Sequence, residues 1–150
     1  MSRMPAATFQ LVLVISCAHA LVHTFELALP AVEQMIGEEY GVGKASTGAL
    51  GMVWRLPFGL GAVLAGLLAD RYGSRPLLIV YLAGCSLTAI LARWAPSFQL
   101  LLLIMLAMGC FASIYHPAGL SLISRETTPE TRGQALGLHG IIGSLGIAGA

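Results

Sequence analysis

The chain has 150 residues, of which 57% are apolar and 10% charged, against roughly 25% charged in soluble domains. Its formal net charge of +1 provides no basic field for nucleic acid and no acidic field for a polycation. With a mean hydropathy of +0.82, these values exclude an ordinary soluble domain and predict an all-α, polytopic transmembrane helical bundle.

Four complete apolar segments and one broken one follow in chain order, at roughly residues 8–31, 45–69, 76–92, 97–123 and 133–150, each judged against the ~20 residues that span a bilayer. Ahead of the first run, Arg3 with Ala18-His19-Ala20 loosely fits a cleavage signal, and Val14-Ile15-Ser16-Cys17 a lipoprotein box. The run continues past both to Ala31, which predicts a retained helix. On that helix Ser16, His19, His23, Glu26 and Pro30 share one face, at spacings of three and four. Imidazoles and a carboxylate on one stripe of a membrane helix suggest a water-filled cavity or a proton path. The competing reading puts His23 and Glu26 in the outer headgroup rim.

A connector holding Glu33, Glu38, Glu39, Gly41 and Gly43 leads to the second segment. There Gly48, Gly51, Arg55, Gly59, Ala62, Gly66 and Asp70 lie along one face, and small residues let another helix approach. Arg55 is expected to turn inward and find a partner, the competing path being to snorkel outward past Trp54. Glu26 and Arg55 differ in depth by only ~6 Å at the helical rise, so an ion pair is feasible.

Between the second and third segments, Gly73 can supply the positive φ of a tight turn and Pro76 suits a first helical turn. Asp70 opposes the dipole of its own helix, which predicts a partner: a basic residue or another helix's N-terminus. The third segment ends at Trp94, an interfacial residue. In the fourth, Met105, Gly109, Ser113 and His116 share a face, and Pro117 is expected to kink the end and take a backbone partner from His116. His116 reads either as a cavity residue or as a histidine bonded across helices. The fifth carries Gly137, Gly140, Gly143 and Gly146. Cys17, Cys85 and Cys110, without paired spacing, read as small buried hydrophobes.

With the N-terminus inside, Arg3, Arg71, Arg75, Arg125 and Arg132 fall on the cytoplasmic side and only Lys44 and Arg93 outside. That bias orients the bundle.

The stretch Gly66-Leu67-Leu68-Ala69-Asp70-Arg71-Tyr72-Gly73-Ser74-Arg75-Pro76 resembles the signature cytoplasmic loop of the major facilitator superfamily, Gly-x-Leu-Ala-Asp-Arg-x-Gly-Arg-Lys/Arg. It departs only at Ser74, where a base is usual. Tyr115-His116-Pro117-Ala118-Gly119 and Arg132-Gly133-Gln134-Ala135-Leu136-Gly137 are similar to the fosmidomycin-resistance-like branch. The glycines of the fifth segment resemble an antiporter motif, whereas Met105 stands where many proton-coupled members place an arginine.

The resemblance implies the N-terminal part, helices one to five, of a secondary active transporter of a small solute, with roughly seven further spans in the complete fold. The chain's stop at Ala150 in mid-helix agrees with a fragment. The implied mechanism is alternating access, with proton-coupled efflux as a leaning. Gly66, Asp70, Arg71, Gly73 and Arg75 would form the cytoplasmic gating loop. His19, His23, Glu26, Arg55, Ser113 and His116 would be substrate or proton contacts. The expected partners are a small-molecule substrate, the lipid bilayer, protons and the C-terminal half. No cofactor, metal or nucleic acid is expected, and the location implied is a bacterial inner membrane with the N-terminus cytoplasmic.

Two other readings stay open at this point. One is a compact four-helix exporter that dimerises, with Glu26 as its proton switch. The other is an intramembrane sensor or enzyme in which His19, His23 and Glu26 hold a metal, although Ala20 stands where the zinc-protease motif needs Glu.

Overall fold

The computed structural model describes residues 3–150, and among them every regular element is a helix. In order these are α1 (Ala6–Ala31), α2 (Glu33–Tyr40), α3 (Lys44–Tyr72), α4 (Ser74–Arg93), α5 (Phe98–Ala112), α6 (Tyr115–Glu126) and α7 (Pro129–Ala148). Four stretches are long and apolar enough to cross a membrane: α1, α3, α4 and the pair α5–α6 taken together. The bundle packs α7 along α1, α3 along α5 and α6, and α4 along α5 and α6.

The hinge between α3 and α4 is shorter than the sequence suggests. Gly73 alone separates the two helices, at a φ of 87° that a side chain would resist. Asp70 and Arg71 therefore lie in the last turn of α3, and Arg75 and Pro76 in the first turn of α4. Pro76 costs no hydrogen bond there, because first-turn amides lack helical partners in any case. Gly66 is not in the loop at all; it lies inside α3, where an added Cβ would meet Pro117 Cβ only at 4.0 Å, the outer edge of contact.

The segment between the first two spans is not a plain connector. Glu33–Tyr40 forms a short helix closed by Gly41 at a left-handed φ of 63°, and Tyr40 Oη donates to the Ala95 carbonyl at 2.8 Å. The fourth span is broken at Ser113–Ile114 rather than bent beyond His116. Pro117 has no N–H to give to the carbonyl four residues before it, so the residue that loses a helical partner is Ser113 and not His116. α7 starts earlier than expected, at Pro129, because Thr128 and Thr131 form a reciprocal cap and proline is well placed at the first helical position.

Buried apolar contacts fill the seams. Tyr81, Tyr115, Trp54, Val12, Val22, Leu50 and Ile123 are almost fully enclosed. Close approach is set by glycines on the inner faces: a Cβ at Gly84 would meet the Phe111 ring, and one at Gly109 the Trp54 carbonyl and Pro57. The second-span stripe behaves differently, since Gly48, Gly51 and Gly59 have nothing within 4 Å. Of the cysteines only Cys85 is buried, while Cys17 and Cys110 are exposed, against the expectation of three buried thiols. An apolar membrane helix is greasy all round, so composition does not separate its inward from its outward face.

Candidate functional site

The polar groups of the bundle gather midway along α1. His19 and His23 are one turn apart, so their rings project from the same face, and their Nε2 atoms stand 3.1 Å apart. His116, in the first turn of α6 just after the break, brings its ring centroid to 5.2 Å from His19 and 5.9 Å from His23. Its far side leans on Phe58, which in turn stacks on Trp54.

A fourth histidine completes the group. His139 of α7 stacks on His19 with centroids 4.0 Å apart and planes 15° from parallel. Its backbone carbonyl faces His19 Nδ1 at 3.0 Å. No feature of the sequence analysis singles out His139; the usable signal is a histidine inside an apolar helix, where unpaired polar groups are costly. The Tyr115 hydroxyl is likewise new to the site. It donates to the Ile15 carbonyl at 2.7 Å and lies 3.0 Å from His139 Nε2.

These partners fix the protons. A carbonyl only accepts, so the Tyr115 hydrogen is committed to Ile15 and its oxygen accepts from His139 Nε2–H. By the same logic His19 Nδ1 must donate to the His139 carbonyl. His23 Nδ1 donates to Glu26 Oε2 at 3.2 Å. With both Nδ1 atoms protonated, neutral rings present two bare Nε2 lone pairs to each other across 3.1 Å. Two such lone pairs repel, so that gap calls for a cation, either a proton on one ring or a metal ion.

Glu26 links this group to α3. Its Oε1 is 3.8 Å from Arg55 Nε, with the Arg55 side chain half exposed and the Glu26 side chain 23% exposed. Trp54, the supposed snorkelling route, is instead buried at 2%, and its Nε1–H has no partner among the described residues. Ser113 is not part of the group. Its hydroxyl donates to the Cys110 carbonyl at 2.7 Å and packs over Gly61 of α3, where an added Cβ would collide with it. Ser16 is similarly turned away, donating to Val12 within its own helix.

At the other end the hinge charges are paired within this bundle. Arg125, in the last turn of α6, reaches Asp70 at 3.4 Å, and Arg75 reaches Glu126 at 2.8 Å. Both acids sit at helix C-termini, where a carboxylate is disfavoured, and both are answered by guanidinium groups. Arg132 adds bonds to the carbonyls of Ser124 and Thr127, and Arg71 lies over the Tyr72 ring at 5.3 Å. The two ion pairs are exposed, which makes each worth little stability in water.

Known proteins agree with this architecture. The family model described as Major Facilitator Superfamily matches residues 12–150. The chain is 32% identical over 123 residues to the puromycin resistance protein pur8 of Streptomyces alboniger, covering 81% of this chain and 24% of that protein. It is 31% identical over 113 residues to a probable 4-methylmuconolactone transporter of Cupriavidus pinatubonensis, covering 75% and 26%. A probable L-galactonate transporter of Escherichia coli is 26% identical over 121 residues, covering 81% and 27%. The chain thus spans about a quarter of the length of these relatives. In structure it is similar to a bacterial homologue of the human lysosomal transporter Spinster in an inward-facing, occupied conformation. That match has a TM-score of 0.66 at 19% identity, covering 97% of this chain and 31% of that one. A fold of membrane-length helices, the charged hinge and a family model covering nearly the whole length lead to one assignment: the chain belongs to the major facilitator superfamily, a family of transporters and not of enzymes.

Proposed function

We propose that the full-length protein is a secondary active transporter that exports a small solute by alternating access, with protons as the coupling ion. The observation that carries this is the run His19–His23–Glu26 along α1, a helix long and apolar enough to cross a membrane, with the His139 carbonyl at one end and Arg55 3.8 Å from the other. Buried titratable groups in such helices are expensive and persist where they meet solute or protons. Export is favoured by the relative named for puromycin resistance. Arg55 and Glu26 offer a charge pair that an anionic or cationic solute would have to displace. The C-terminal half would supply the opposite wall, against the open faces of Gly48, Gly51 and Gly59.

In this reading the protein sits in a bacterial inner membrane with its N-terminus in the cytoplasm. Asp70, Arg71, Gly73 and Arg75 form the cytoplasmic latch, with Asp70 clasped to Arg125 and Arg75 to Glu126. Rocking one half against the other would break or re-form that latch. The Tyr115–Gly119 segment supports the finer resemblance to the fosmidomycin-resistance-like branch.

The test is gradient-driven flux in vesicles holding the full-length protein, with puromycin, 4-methylmuconolactone and L-galactonate as first probes. A protonophore should abolish accumulation. Asp70→Asn and Glu26→Gln should cut flux severely while insertion and yield stay normal. Flux that ignores both substitutions would sink the proposal.

A further inference from the structure

We propose that His19 Nε2, His23 Nε2 and a ring nitrogen of His116 form a binding site for a divalent transition metal ion, with zinc as the ion of first choice. One ring nitrogen from each of the three already lies within 4.8 Å of the others. The tighter pair, at 3.1 Å, approaches the ~3.3 Å that separates two nitrogens on a tetrahedral zinc with bonds of about 2.0–2.1 Å. The widest separation needs only about 1.5 Å of closure to reach the same geometry. His116 can supply it, because it stands in the first turn of α6, directly beyond the Ser113–Ile114 break, and is half-buried.

The outer partners are the stronger ground. A histidine that binds a metal through one nitrogen holds the other N–H on a carbonyl or a carboxylate, which fixes both tautomer and ring orientation. His19 gives its Nδ1–H to the His139 carbonyl and His23 gives its own to Glu26. Both Nε2 lone pairs are thereby left bare and face each other across 3.1 Å. Arg55 and Glu26 keep the outer carboxylate charged-paired, and the stacked His139 ring prevents His19 from turning away. Three imidazoles and no thiolate suit zinc, copper(II) or nickel(II), and exclude the hard ions calcium and magnesium as preferred occupants. A fourth position stays open to water or to a solute donor.

Binding alone decides the matter, independently of any transport. Untagged full-length protein in detergent is titrated with Zn2+ by calorimetry, and with Co2+ while the visible bands of tetrahedral cobalt are recorded. The expected result is saturable uptake of one ion per chain, with tetrahedral cobalt bands. His23→Gln and His116→Gln should abolish it, and Glu26→Gln should weaken it about tenfold or more. Cys17→Ser combined with Cys110→Ser should leave it intact, since those exposed thiols are the competing ligands. Zn2+ should also protect the wild-type histidines from diethylpyrocarbonate, a readout that survives if a variant fails to fold. Absence of saturable uptake, or uptake and histidine modification indifferent to Zn2+ and to these substitutions, overturns the site and leaves a shared proton in the gap. Loss of proton-coupled flux with zinc binding preserved would instead refute the transport reading alone.

Discussion

Gly143 and Gly140 of α7 are three residues apart in the same glycine series, yet they face different surroundings. A Cβ at Gly143 would land on the His19 ring, whereas one at Gly140 meets nothing within 4 Å. Replacing either by alanine gains the same helix propensity, up to ~1 kcal/mol. The difference between Gly143→Ala and Gly140→Ala therefore isolates the collision. Overpacking costs about 1–3 kcal/mol, and pushing His19 aside also breaks its bond to the His139 carbonyl, a further ~1 kcal/mol. Gly143→Ala should thus be less stable than Gly140→Ala by about 2–4 kcal/mol, tens- to hundreds-fold in the unfolding equilibrium. Reversible unfolding in mixed micelles, followed by far-ultraviolet circular dichroism on the full-length protein, measures the gap. Equal stabilities, or a more stable Gly143→Ala, would refute the placement of His19 under α7.

Three further outcomes are expected. Tyr115→Phe removes a buried hydroxyl that serves both Ile15 and His139, and should cost about 1–3 kcal/mol because His139 Nε2–H loses its acceptor. Tyr81→Phe loses only its bond to the Ala18 carbonyl and should cost about 0.5–1.5 kcal/mol; the same unfolding assay ranks the two. Thr128→Ala should destabilise the start of α7 by about 0.5–2 kcal/mol through loss of its cap. The Thr128 hydroxyl, and then the backbone amide of Glu130 itself, hold the Glu130 carboxyl below the usual carboxylate range. Because that folded value is depressed, its contribution is full above the unfolded value and fades as pH falls through the folded one. Amide exchange at the first turn of α7 should lose protection toward acid in wild type, and show a flatter pH dependence in Thr128→Ala.

Membrane class and the position of the hinge were legible from residues alone, because hydrocarbon forces long apolar helices and a charged hinge between two of them stands out. The five segments read from the sequence became seven helices among the described residues once Glu33–Tyr40 folded and the fourth span broke. The α1 stripe of His19, His23 and Glu26 was equally legible, since neighbours at three and four positions share a helical face whatever the fold. Helix ends were read less well: Asp70 and Arg71 continue α3, and Thr128 starts α7 early, because caps override composition. The glycine series of α7 looked uniform as a sequence. Packing divides it, with Gly143 and Gly146 on α1 and Gly137 and Gly140 open.

The meeting of α1 with α6 and α7 was decided only in three dimensions. His116 and His139 are remote from His19 along the chain, and a histidine inside an apolar helix signals that His139 needs a partner without saying which. Ser113 shows the converse, since its register matched His116 and yet the break at Ser113–Ile114 turned it onto α3. Helical periodicity holds only while the helix is unbroken, and which faces touch depends on where glycine allows two backbones to close. The local code thus fixed which groups lie together on one helix, while close packing between helices fixed their partners and, through those partners, the protons they carry.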